Sequence, residues 1–149
     1  MFLAIVRRVW SKIPYYVRLR IIRMTQKRFT ASVVAIVKDK KGRVLVLDHA
    51  IRPGATLGLP GGFLDPGENP ADAIVRELFE ETSLDLANVE LIRVRTIGKH
   101  IEMLFVADGV GEAVVSSREI VSLGWYDVTS LPEGMSEKQK RIVKEVTSG

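Results

Sequence analysis

The sequence contains no cysteine. Disulfides and thiolate metal sites are therefore excluded, and any metal must be held by oxygen or imidazole ligands. Long apolar runs are missing too: none approaches the ~18 residues that a membrane-spanning helix needs. The opening run Phe2-Leu3-Ala4-Ile5-Val6 is too short for a signal-peptide core, and no basic stretch precedes it. The expectation is a cytoplasmic location. Acids are absent from residues 1–28, which hold Arg7, Arg8, Lys12, Arg18, Arg20, Arg23, Lys27 and Arg28, a net charge of +8. Residues 29–149 set 14 Lys and Arg against all 18 Asp and Glu, a net −4.

What is present is the material of an ordinary globular domain. Of 149 residues, 46% are hydrophobic and 27% charged, enough for a packed core under a polar surface. The charge asymmetry divides the chain into a basic helical extension, residues 1–29, and a domain, residues 30–149. In the extension, Ile5, Val6, Val9, Trp10 and Ile13 fall at helical spacing. Pro14 then disfavours a helical Ile13 and can open a second helix over about Tyr15–Gln26.

Within the domain, Ala31–Val37 is an apolar, β-branched run. Asp39-Lys40-Lys41-Gly42 signals a turn, and Val44–Leu47 follows, so the pattern predicts a buried β-hairpin. His49–Gly62 reads as a loop punctuated by Gly and Pro. Asn69 is a good N-cap and Pro70 suits the first helical position, predicting a helix to about Ser83. Val89–Ile97, Ile101–Ala107 and Val121–Tyr126 read as strands. Ser136-Glu137-Lys138-Gln139 is a capping box for a last helix to about Val146.

The helix from Pro70 carries the candidate chemistry. At about 100° per residue, Ala71, Val75, Leu78 and Thr82 share one face, while Ala73, Glu77, Glu80 and Glu81 lie on the other. Like charges at i,i+3 and i,i+4 cost a helix a few tenths of a kcal/mol per pair. Arg76 offsets part of this. Three clustered acids still ask for a further cation, and a hard ion such as Mg²⁺ or Mn²⁺ suits them. A solvated acidic face is the plain alternative. The glycines at 58, 61, 62 and 67 weigh against it, because they let backbone approach a ligand closely.

Gly62-Phe-Leu-Asp-Pro-Gly-Glu68, seven further residues, and Arg76-Glu77-Leu78-Phe79-Glu80-Glu81-Thr82-Ser83-Leu84 together resemble the Nudix box, G-x5-E-x7-R-E-U-x-E-E-x-G-U, where U is aliphatic. One fixed position departs: Ser83 stands where the family has Gly. Gly58-Leu59-Pro60-Gly61-Gly62 resembles the family's lead-in, and Trp125–Pro132 its last strand and turn. The resemblance thus spans about residues 30–132. It implies a mixed α/β (α+β) sheet inside a three-layer α/β/α sandwich, with the box helix on one face and the C-terminal helix on the other.

It also implies a metal-dependent hydrolase that cleaves the diphosphate of a nucleoside diphosphate linked to another moiety, with Mg²⁺ or Mn²⁺ as cofactor. Glu77 and Glu81 would be the core metal ligands and Glu80 a further or water-mediated one. Arg76 would orient the carboxylates, and Gly61, Gly62 and Glu68 would shape the loop. For the base that activates water, Glu119 is favoured over Glu102 and Glu112, because it sits in the loop entering the last strand; Glu80 inside the box is a further candidate. Arg52, Arg43 or Lys99 could meet substrate phosphates. His49 and His100 lack metal-ligand spacing and read as surface or cleft residues. Trp125, Phe63 and Phe105 could stack on a base, though core packing suits each.

Some subfamilies carry a Pro or Tyr 15–18 residues beyond the box. That window here holds Lys99, His100, Ile101 and Glu102, so the substrate stays unassigned beyond its nucleotide class. The alternative from another class is a nucleotide-binding or regulatory module that does not cleave. Ser83 bears on how the helix ends, since a left-handed cap costs a non-Gly residue about 1–2 kcal/mol. For the basic extension three readings stay open: contact with an anionic membrane surface, contact with RNA, or an added helical layer packed on the domain or on a second subunit of a homodimer.

Overall fold

The computed structural model describes residues 2–51 and 54–148. Two helices come first, α1 (Phe2–Lys12) and α2 (Tyr15–Thr25). The domain then runs β1 (Thr30–Lys38), β2 (Val44–His49), β3 (Leu57–Gly58), β4 (Gly61–Phe63), α3 (Pro70–Thr82), β5 (Asp85–Ile97), β6 (His100–Val110), β7 (Ile120–Tyr126), a 3-10 turn at Val128–Ser130, and α4 (Glu137–Thr147).

Alternation along the central strands divides their side chains between two cores. Val33, Ala35 and Val37 of β1, with Leu45 and Leu47 of β2, pack beneath Ala73, Ile74 and Leu78 of α3. Ile36 of β1 and Val44 and Val46 of β2 point the other way, into a second core with Ile142 and Val143 of α4. Both sheet faces are thus covered, which gives the expected three-layer sandwich. The sheet path is β3-β2-β1-β6-β5, with β4 joined to β1 and β7 to β2. It is mixed: β1 and β6 run parallel from Thr30↔His100 to Lys38↔Asp108, whereas β5 and β6 form an antiparallel hairpin.

The predicted β1–β2 hairpin forms at its turn, where Asp39 Oδ1 accepts from the Lys41 and Arg43 amides, both at 2.9 Å. Beyond Lys38↔Val44 the partners change. β4 lies along β1 at Ser32–Val34, and β3 along β2 at Leu47 and Asp48. The segment read as a loop therefore supplies two short strands that part the hairpin. Glycine makes this approach feasible: Gly61 has φ of +147°, and a Cβ there would overlap the Val33 carbonyl.

The helix α3 is turned relative to the sequence expectation. Ile74, Leu78 and Thr82 are buried and Val75 is exposed, while Ala73, placed with the acids, is fully buried. The side bearing Ala73, Glu77 and Glu81 faces β4 and β1 rather than open solvent. Of the readings left open for the extension, a helical layer packed on the domain is not what the structure has. No described side chain of α1 or α2 is buried, and neither core contains one of them. α3 and α4 already supply the helices that pack on the two core faces. Among the described residues, no helix is long and apolar enough to cross a membrane.

Candidate active site

The site is built on α3 and the glycine turn before it. Asn69 caps the helix, its side chain accepting from the Ala71 amide at 2.9 Å, with Pro70 at the first position. From this fixed start Arg76 reaches back over the turn. Its Nε and Nη2 donate to the two Glu68 oxygens at 2.7 and 3.0 Å, a bidentate, charge-assisted pair. Its Nη1 donates to Glu77 Oε1 at 2.9 Å and reaches Glu80 Oε2 at 3.5 Å. Its Nη2 also reaches the Phe63 carbonyl at 3.4 Å. One guanidinium thus ties the turn to three box acids.

Glu68 also accepts from the Asp65 amide at 3.0 Å, closing the turn on itself. The Arg76 hydrogen bond, then that amide, hold the Glu68 carboxyl down at about 2. The same pairing with Glu68, and then Glu77, holds the Arg76 guanidinium above its ordinary range. Glu77 behaves oppositely: burial pushes its carboxyl up, against the pull of Arg76. The burial comes from Gly62, whose backbone lies so close that a Cβ there would overlap the Glu77 carboxylate. Glu81 is only 7% exposed, and its Oε1 stands 4.0 Å from His49 Nδ1.

A cleft of about 640 Å³ opens over these groups. Arg76, Glu77, Glu80 and Glu81 form one wall, Gly61, Gly62 and Phe63 the floor strand, and Glu102 and Glu119 further parts of the lining. Glu119 arrives there because the preceding loop is stitched to the end of α3. The Val114 and Ser116 amides donate to the Thr82 and Glu81 carbonyls at 2.9 and 3.1 Å, and Ser116 Oγ donates to the Glu80 carbonyl at 2.7 Å. These bonds satisfy carbonyls that a helix end leaves open. They also bring an acid from 38 residues beyond Glu81 onto the box helix. Glu102 is already engaged, accepting from Arg95 Nε at 2.6 Å, whereas Glu119 is exposed in the cleft.

The structure brings Glu77, Glu80, Glu81, Arg76, Gly61, Gly62 and Glu119 together around the cleft, with Glu68 behind Arg76. It does not bring Arg43 there: Arg43 is bound to Asp39 at the β1–β2 turn, its Nε donating at 2.8 Å. Lys99 sits in the β5–β6 turn and Glu112 before the stitched loop, and neither lines the cleft. Arg52 lies outside the described residues. Among the described residues, Arg76 is the one cation lining the cleft. Phe105 packs in the core and Trp125 packs against it, whereas Phe63 is exposed at the cleft. Its ring meets His100 edge-on at 5.9 Å, and Thr30 and Ser32 hydroxyls hold the two ring nitrogens of His100 at 2.8 Å.

Comparison with known proteins agrees with this geometry. A family model described as the NUDIX domain matches residues 28–146. The chain belongs to the Nudix hydrolase family. The crystal structure of a MutT NUDIX hydrolase from Burkholderia pseudomallei shares 28% identity and a TM-score of 0.69, covering 79% of this chain and 97% of that one. An NAD-capped RNA hydrolase of Vibrio atlanticus is 30% identical over 108 residues, 70% of this chain but 39% of its own length. An ADP-ribose pyrophosphatase of Methanocaldococcus jannaschii is 26% identical over 114 residues, 72% of this chain and 67% of its own. This Nudix chain therefore spans about two fifths of the first relative and two thirds of the second.

The donor set fits a hard divalent cation: clustered carboxylates, no thiol, and a glycine that leaves room only for the Glu77 carboxylate. Among the described residues, no three carboxylate or imidazole groups already converge on one point. The acids are arrayed along the wall, with Arg76 holding Glu77 and Glu80 in place.

Proposed function

We propose that this Nudix chain hydrolyses the phosphoanhydride bond of a nucleoside diphosphate linked to another moiety, with Mg²⁺ or Mn²⁺ as cofactor. The observation that carries this reading is the Arg76 hub. One guanidinium orders Glu68, Glu77 and Glu80, on a helix whose next acid, Glu81, is buried in the same cleft wall. The names of two relatives, an NAD-capped RNA hydrolase and an ADP-ribose pyrophosphatase, both denote compounds with a diphosphate joined to a nucleoside, which supports the substrate class.

Glu77 and Glu81 would hold the cation and Glu80 would supplement them. When bound, the cation neutralises diphosphate charge and makes an adjacent water more acidic. Glu119 takes the proton from the attacking water, since it faces the cleft with no arginine partner among the described residues, unlike Glu102. Arg76 keeps Glu77 and Glu80 from separating under their mutual repulsion. Phe63, exposed beside His100, offers a face on which a base can stack.

The test is a panel of nucleotide sugars, ADP-ribose, dinucleoside polyphosphates, oxidised nucleoside triphosphates and dinucleotide cofactors, each with Mg²⁺ or Mn²⁺ and with a chelator. Cleavage of at least one compound at its phosphoanhydride, abolished by the chelator, is expected. Binding without cleavage across the panel would leave a nucleotide-recognition module instead.

A further inference from the structure

The two N-terminal helices combine features that the hydrolase site does not use. Projected at about 100° per residue, α1 gathers Ile5, Val6 and Val9 on one side and Arg7, Arg8 and Lys12 on the other. The apolar side is open: Leu3 is 79% exposed, Ile5 57% and Val9 59%. On α2, Tyr15, Tyr16 and Met24 are exposed beside Arg20 and Arg23. Nothing in the described domain covers these side chains, and both faces of its sheet are already occupied.

We infer that α1 and α2 form a docking surface for an anionic lipid bilayer, lying in its plane. Charge complementarity selects this occupant. Residues 1–28 carry +8 and no acid, while residues 29–149 carry −4, so an anionic surface attracts the extension and repels the domain. The same segment of a second copy meets eight like charges and is repelled. An RNA backbone would engage the arginines but leave the apolar side chains in water. A bilayer takes both: the bases reach headgroups, the aliphatic stripe enters the acyl boundary, and Trp10, Tyr15 and Tyr16 suit the interface between them. Each helix has 11 residues, about 16 Å, roughly half the ~30 Å hydrocarbon thickness, so the helices lie on the membrane and do not cross it. None of the described residues that line the cleft, Ser32 to Glu119, lies on α1 or α2.

Co-sedimentation of the full chain with extruded vesicles tests this. Vesicles of phosphatidylcholine mixed with phosphatidylglycerol are compared with phosphatidylcholine alone, and a single-stranded RNA probe is titrated against the same proteins. Two double variants separate the forces, Ile5→Asn with Val9→Asn on the apolar side and Arg7→Glu with Arg8→Glu on the basic side. Neither pair touches a core residue, and circular dichroism checks that each variant keeps its fold. The expected result is binding to anionic vesicles that weakens by roughly tenfold or more in both variants and for neutral lipid. Failure of the wild type to bind anionic vesicles overturns the inference. So does vesicle binding that the apolar variant leaves unchanged, which would mark simple polyanion attraction. RNA binding tighter than vesicle binding, or concentration-dependent self-association lost in the apolar variant, would assign the surface to RNA or to a second copy instead.

Discussion

Arg76 shows how one side chain can set a site's geometry. It grips Glu68 with two nitrogens and Glu77 with the third, so the turn and the helix cannot move apart without breaking charge-assisted bonds. The pairing has a pH signature. Because the Glu68 carboxyl is held down from 4.5 to about 2, its contribution to stability is complete above pH 4.5 and is lost as pH falls toward 2. Melting temperatures of wild type and Glu68→Gln should therefore differ by a constant amount at neutral pH and converge in acid. A pH-independent difference would show that the carboxylate charge is not what matters. Gly62 offers a complementary test. The atoms nearest to a Cβ there are those of the Glu77 carboxylate, the movable end of a side chain, so Gly62→Ala should fold normally. It should displace Glu77 and lower kcat by roughly 10–100-fold; an unchanged kcat with an unchanged fold would separate Glu77 from the reaction. Glu119→Gln should likewise keep the fold and reduce kcat by about 10²–10⁴-fold, the range for a lost general base. A steady-state assay that finds full turnover would return the role to Glu80 or Glu102.

At the scale of elements, α3 was the most legible part of the sequence and also the most instructive. Its caps, its length and its acid spacing are local properties, written in Asn69, Pro70 and the box itself. Which way the helix faces is not local. Treating the acids as solvent-facing puts Val75 in the core and Ala73 outside, and the structure reverses both because β4 lies against the acid side. The stitched loop could not be read either. It depends on backbone carbonyls of Glu80, Glu81 and Thr82 captured by residues some 30 positions later, and no side-chain pattern announces that. The residue that caps this element carries its own prediction. Ser83 adopts the left-handed cap at φ 53° and ψ 20°, with its amide donating to the Phe79 carbonyl at 2.8 Å. Ser83→Gly relieves that conformation and should stabilise by about 1 kcal/mol, read by denaturant melts, with activity within twofold. A large change in kcat would mean that the cap shapes the site.

At the scale of the whole molecule, the sandwich was legible through the resemblance to the Nudix box; the strand pattern agrees with it but would not have selected it alone, since Ala31–Val37 and Val44–Leu47 are nearly continuous apolar runs. The parting of β1 from β2 was not readable, because it turns on close backbone approach at Gly61 rather than on hydrophobic pattern. The cleft is the product of that parting: β4 enters beside β1, Gly62 comes to rest on Glu77, and the box helix closes over it. The same sandwich leaves α1 and α2 outside its cores, with their basic and apolar sides unspent by the domain. The most direct measurement of the central claim is turnover as a function of Mg²⁺, on a substrate selected from the panel, after the protein has been stripped with a chelator. Wild type should be inactive when stripped and recover with added Mg²⁺, while Glu81→Gln should bind nucleotide yet fail to recover. Metal-independent turnover, or equal recovery by Glu81→Gln, would contradict the assignment of the box acids as the metal site.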